Sequence, residues 1–247
     1  MTRPRFEELA WRVTPIGEIS LRRRVDPRLG VDVYEVKIDD DFLMSSLFTV
    51  AEQELSRLGL AATAGDALDV VVGGLGLGYT ARTALEDPRV RSLLVVEAVG
   101  EVIAWHERGL LPFAAQLTTD PRSRLVEADF FAMAASADGF DPASPAREFD
   151  VILLDVDHSP RHVLAPANAA LYTAAGLRAL TRHLRDGGVF ALWSDDPPDD
   201  GFEAAMAEVF ATTASHVVPF ANPITGGESS NTVYVAVTAP GPAGSPR

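Results

Sequence analysis

Three glycines at alternate positions, Gly74, Gly76 and Gly78, stand in the run VVVGGLGLGYT, after an apolar stretch and before one that can open a helix. Glycine lets a backbone turn sharply and come close to a ligand, and a glycine-rich turn after the first strand of a doubly wound sheet is where nucleotides bind. A dinucleotide fingerprint places its third glycine three residues after the second. That position is Tyr79, a candidate substrate contact, so NAD is disfavoured. No Gly-Lys-Ser/Thr follows, which excludes a P-loop. Glu97 lies 23 residues after Gly74, where a carboxylate can accept both hydroxyls of a ribose. Asp129, in VEADFF, can accept from an adenine amino group while Phe130 or Phe131 stacks on the ring.

A second group of residues suits a cation. The run Trp193-Ser194-Asp195-Asp196-Pro197-Pro198-Asp199-Asp200 sets four carboxylates beside an indole, which fits a cationic acceptor by ion pairing and by a cation-π face. Trp193, Asp195 and Asp196 are the candidates. The alternative is a solvated acidic loop in which Asp199 or Asp200 caps the next helix. His158 and His162 are four apart but flank Pro160, so they do not share a helix face, and no metal site is expected. There is no Gly-x-Ser-x-Gly elbow and no cysteine.

The elements that position these residues alternate. Apolar stretches at Ala67 to Val72, RSLLVVEA, RLVEA, DVILLD and GGVFALW read as strands. Helices are expected from Tyr79, over Val99 to Leu110, Phe130 to Ala135, Leu171 to Leu184 and Gly201 to Val209. Strands apolar throughout that alternate with helices imply a parallel sheet covered on both faces, a doubly wound, Rossmann-like α/β fold. SHVVPF and NTVYVAVT add an antiparallel pair at the sheet edge. Before this domain, Val13 to Ile19, Ser20 to Val25 and Val31 to Ile38 read as a small β-hairpin appendage. A first helix is expected over Ser45 to Leu60, capped by Ser45 or Ser46. The expected division is 1–44 for the hairpin region, 45–238 for the nucleotide-binding domain and 239–247 for a disordered tail.

A formal net charge of −14 repels phosphate backbones and attracts cations, so a small cationic molecule is the expected partner and nucleic acid is not. No apolar run reaches the roughly 20 residues of a membrane span. The opening MTRPRFEELAWRV has no apolar core of a secretory signal. With no cysteine, a soluble, cytoplasmic protein is expected.

Over roughly residues 65 to 195 the order of motifs resembles that of the spermidine synthase family, the polyamine aminopropyltransferases. The blocks are VVGGLGLG, LLVVEAVGEVI, VEADFF, FDVILLDVDHSP and LYTAAGLRALTRHLRDGGVFALW. The resemblance implies a transferase on a class I methyltransferase-like fold, a sulfonium nucleoside at Gly74, Gly76, Gly78, Glu97, Asp129 and Phe130, and a possible homodimer. It implies that Asp155 orients an amine nucleophile and takes its proton. The family's second aspartate follows three residues later, whereas here Asp157 and His158 stand in its place as catalytic candidates. An aspartate at a strand end also caps its own turn, which is the alternative for both aspartates.

The glycine motif lacks the family's aspartate, which meets the amine of decarboxylated S-adenosylmethionine. A carboxylate there repels the α-carboxylate of the ordinary cofactor by about 1 to 4 kcal/mol at 4 Å. The family's diamine-holding tyrosine and glutamine are also absent from IDDDFLMSSLF. The reading is therefore a transferase that uses S-adenosylmethionine to methylate an amine-bearing acceptor. Aminopropyl transfer from decarboxylated S-adenosylmethionine is the second reading, and a non-catalytic nucleotide-binding protein is the third.

Overall fold

The computed structural model describes residues 4–14 and 17–241; Pro15 and residues 242–247 of the expected tail lie outside the described residues. The expected hairpin is a four-stranded antiparallel sheet, β1 (Phe6–Thr14), β2 (Gly17–Val25), β3 (Asp32–Ile38) and β4 (Asp41–Ser45), paired in that order. β1 escapes the sequence pattern because it is an edge strand, mostly exposed and without apolar alternation. β4 takes Ser45, the expected helix cap. The helix α1 (Val50–Ala61) starts later, at an N-cap Thr49 that makes no side-chain cap bond. Ser46 Oγ accepts from the Tyr34 amide at 2.9 Å, so the expected cap region is fastened to β3 instead.

From there strand and helix alternate as expected: β5 (Leu68–Gly73), α2 (Tyr79–Glu86), β6 (Val90–Glu97), α3 (Gly100–Glu107), α4 (Ala114–Thr118), β7 (Ser123–Glu127), α5 (Phe130–Ala135) and β8 (Phe149–Leu154). A 3₁₀ turn (Pro166–Ala170) leads into α6 (Ala174–Thr181), β9 (Leu184–Ser194), α7 (Asp200–Ala207) and the antiparallel pair β10 (Thr212–Asn222) and β11 (Gly227–Val237). The sheet order is β10-β11-β9-β8-β5-β6-β7. β5 to β9 run parallel and β11 runs antiparallel to β9. The order reverses between β5 and β8, and at such a switch point a crevice opens beyond the carboxyl ends of the strands.

Alternate residues of each buried strand feed two cores. Val70, Val72, Val95, Val151 and Leu153 pack with α1 to α4 and with Ile19, Leu21 and Val36 of the N-terminal sheet. Val71, Leu94, Val96, Ile152 and Leu154 pack under α5, α6 and α7. Burial of each such side chain stabilises by about 1.5–3 kcal/mol, which is why neither face tolerates polar alternation.

The amino ends of the strands carry an ion-pair network. Asp69 accepts from Arg91 at 2.6 Å, Arg185 at 2.7 Å and Arg147 at 2.9 Å. Asp150 pairs with Arg185, and Asp141 with Arg124 and Arg147. On the opposite side of the molecule, Arg28 of the N-terminal sheet donates to the carbonyls of Pro223 (2.8 Å) and Ile224 (3.0 Å) at the tip of the β10–β11 pair. Phe48 meets Phe220 there at 5.7 Å. No helix among the described residues is long and apolar enough to cross a membrane.

Candidate active site

The turn after β5 is shaped by left-handed glycines. Gly74 has φ +92°, and a Cβ there would run into the carbonyl oxygen of Asp155. Gly76 has φ +46°, and a Cβ would lie 2.7 Å from Met44 Sδ, so β4 is laid directly against the turn. Gly78 is the N-cap of α2. The side chains between the glycines, Leu75 and Leu77, are buried and bring no charge.

Glu97 ends β6 beside this turn, as expected. Its Oε2 accepts from the amides of Leu75 (3.0 Å) and Gly76 (3.4 Å), and its Oε1 from Val99 (2.8 Å). Burial raises its pKa, against the pull of these amides. Asp129 follows β7 and is exposed; its Oδ1 caps α5 by accepting from Phe131 (2.8 Å) and Ala132 (3.2 Å). Phe130 does not face the crevice. It is 3% exposed, stacks on Phe140 at 4.8 Å and fills the space under Gly73, because the first residue of α5 points onto the sheet. Its neighbour Phe131 is half-buried and is the ring left near Asp129.

Asp155 follows β8 and is held against the glycine turn, its amide donating to Gly73 O at 2.8 Å. Its Oδ2 accepts from Thr80 Oγ1, in the first turn of α2, at 2.5 Å. Sequence reasoning missed the next residue. Glu52, in the first turn of α1, lies close enough to Asp155 and Asp195 to feel both charges. Burial first and Asp155 second raise its carboxyl to about 8. Burial also raises Asp155, to about 6, against the Thr80 hydrogen bond. The two titrate as a pair, each pushed upward by burial and Glu52 also by the charge of its neighbours. Asp195 is exposed and accepts from Asn231 Nδ2 at 2.7 Å. Tyr79 is half-buried beside Glu52, edge-on to Phe113 at 5.2 Å, its pKa raised by burial. Trp193 is half-buried against the first core.

Three candidates take positions that the sequence did not anticipate. Asp157 is 1% exposed and spends its carboxylate on Leu164 N (2.7 Å), Asn168 Nδ2 (2.9 Å) and Tyr172 Oη (2.8 Å). It anchors the following loop and is not placed for catalysis. Asp196 Oδ2 accepts from Ser159 Oγ at 2.6 Å and meets His162 Nδ1 at 2.8 Å, and Arg161 adds an ion pair at 3.7 Å. Through this oxygen it joins two loops. His158 is exposed, and its backbone carbonyl accepts from the Asp195 amide at 2.7 Å. Asp199 caps α7, as the alternative reading held.

Glu52 and Thr80 carried no motif. Their only signal is position, each in the first turn of a helix whose amino end meets the sheet's carboxyl edge.

No family model matches the chain. A polyamine aminopropyltransferase of Pyrobaculum arsenaticum is 28% identical over 121 residues, 49% of this chain and 39% of that relative, so the match spans well under half the relative's length. A spermidine synthase structure from Thermotoga maritima aligns with a TM-score of 0.70 at 20% identity, over 94% of this chain and 72% of that one. A spermidine synthase in complex with the transition state analogue AdoDATO gives 0.71 at 20% identity, over 94% and 74%. A probable spermidine synthase from Corynebacterium glutamicum gives 0.61 at 19%, over 95% and 81%. The structural matches establish the fold. The names of these relatives favour the second reading of the sequence, aminopropyl transfer, over the first, methyl transfer.

Proposed function

We propose that this chain, spermidine synthase-like in fold and in sequence, is a transferase that moves the aminopropyl group of decarboxylated S-adenosylmethionine onto a small cationic amine. The observation that carries this reading is the meeting of Glu52, Asp155 and Asp195 at the carboxyl edge of the sheet beside the glycine turn. Such a group of carboxylates attracts ammonium groups and repels an α-carboxylate. It supplies the discrimination that Leu75 and Leu77 in the glycine turn do not.

In this reading Glu97 takes the ribose hydroxyls, Asp129 the adenine amino group, and Phe131 replaces Phe130 at the ring. The acceptor nitrogen attacks the methylene carbon bonded to the sulfonium. A C–N bond forms, the C–S electron pair returns to sulfur, and a thioether nucleoside leaves. Ionised Asp155 accepts the proton released from nitrogen, and Thr80 fixes the carboxylate that receives it. A carboxyl shifted upward toward the working pH is a better base than one near 4. Most of the acceleration comes from holding nucleophile and carbon in line.

Methyl transfer from S-adenosylmethionine is the competing reading, favoured by the uncharged glycine turn. The test is calorimetric titration with each nucleoside, repeated on Glu97→Ala, followed by mass spectrometry of products from a set of diamines. Preference for the decarboxylated form and a product heavier by one aminopropyl group are expected. Preference for the carboxylated form with a methylated product would replace this reading, and binding of neither would end it.

A further inference from the structure

His106 lies on α3, away from every motif the sequence singled out, yet it touches the glycine turn. It is 1% exposed, and its Nε2 stands 2.9 Å from the carbonyl oxygen of Gly76. A carbonyl only accepts, so Nε2 must carry the proton. Nδ1 is then a bare acceptor, and it is buried without a hydrogen-bond partner among the described residues. The ring edge also presses on the next glycine, with Cε1 3.0 Å from where a Gly78 Cβ would stand.

The same turn is held from its other side by Glu97, which takes the amides of Leu75 and Gly76. A carboxylate that turns to ribose hydroxyls loosens those two bonds. The carbonyl bond from α3 does not compete with the ligand.

We infer that His106 is a positioning residue that keeps the glycine turn in its binding shape while Glu97 is engaged by the nucleoside. The inference rests on the nucleoside reading of this site. Burial lowers the pKa of His106 and keeps the ring neutral, and an orphaned Nδ1 gives an added proton no partner. The Nε2–H donor is therefore present throughout the working pH range.

The test pairs His106→Leu with His106→Gln, whose amide nitrogen reaches about as far as Nε2 and can still donate. The leucine variant should bind decarboxylated S-adenosylmethionine about tenfold more weakly, the scale of one unsatisfied buried carbonyl. Its kcat and its KM for the amine should stay near wild type, and the glutamine variant should recover most of the loss. Hydrogen exchange at the amides of residues 75–78 should quicken in the leucine variant alone.

Equal nucleoside binding in both variants, or equal loss in kcat and both KM values, would overturn the inference. Should the leucine variant not fold, the glutamine variant decides together with ¹⁵N spectroscopy of the wild-type ring: an Nε2-protonated tautomer supports the clamp and an Nδ1-protonated one overturns it. If the wild type binds neither nucleoside, the proposed function fails. The exchange rates still show whether His106 holds the turn.

Discussion

The two ends of the parallel sheet treat buried carboxylates in opposite ways. At the amino end, burial pushes Asp69 up, but Arg91, Arg185 and Arg147 outweigh it and hold the carboxyl down to about 2. Asp141, beside Arg124 and Arg147, is also held low. At the carboxyl end, the neighbours that act on Glu52 are themselves acids, and both Glu52 and Asp155 are driven up. One edge is an assembly of satisfied ion pairs that fastens strands. The other is a set of acids whose ionisation burial and mutual repulsion oppose, the arrangement expected where a cationic ligand supplies the missing sign. Neither composition nor net charge separates them, because the same residue type at two ends of one strand layer does two jobs.

The sharpest way to break this contrast is to neutralise one acid at each edge. Asp155→Asn removes the proton acceptor and should lower kcat by about 10²- to 10⁴-fold. Tm should hold or rise, since an unfavourably buried charge is gone. A large fall in Tm with kcat intact would assign Asp155 to structure. Asp69→Ala should do the reverse, costing about 3–5 kcal/mol in denaturant unfolding because three arginines lose their shared partner. Its kcat should change little at a temperature where the variant is folded.

The finest test is the dependence of Tm on pH, where the two edges differ in sign. Asp69, depressed, stabilises the fold above its unfolded value near 4, and that contribution is lost as pH falls through about 2. Asp155 and Glu52, raised, contribute fully below their unfolded values near 4, and their contribution is lost as pH rises through about 6 and about 8. The Glu52→Gln, Asp155→Asn double variant should therefore lose a few degrees less than wild type between pH 5 and pH 8, about the shift a kcal/mol brings to a domain of this size. An unchanged slope would mean the carboxyl edge is better compensated than its neighbours imply.

The frame of the site was legible in the sequence because parallel strands are apolar throughout and their ends are marked by glycines and carboxylates. The stretches Ala67 to Val72, RSLLVVEA and DVILLD each match β5, β6 and β8 to within a residue at either end. What was not legible depends on where helices land. Asp155 and Asp157 are two residues apart and chemically identical, yet one meets Thr80 and the other Asn168 and Tyr172. Phe130 and Phe131 are adjacent in one helix turn, and only the direction of α5 onto the sheet decides which ring is core. Glu52 and Met44 reach the site from segments that precede the nucleotide-binding motifs. No spacing rule links them to Gly76 or Asp155. Short segments broken by Pro15, Gly17 and the turn at 26–30 read as an appendage; in the fold, β4 lies against the glycine turn.

The contact of Arg28 with Pro223 and Ile224 joins positions 195 and 196 residues apart. Pairings of such long range form slowly, because most of the intervening chain must be ordered before they can close. During synthesis the N-terminal sheet leaves the ribosome well before the β10–β11 pair that it grips. The wall carrying Met44 then reaches its final seat only after that pair has appeared. Nascent chains arrested before residue 223 are expected to carry the glycine turn and Asp155 without a finished crevice around them.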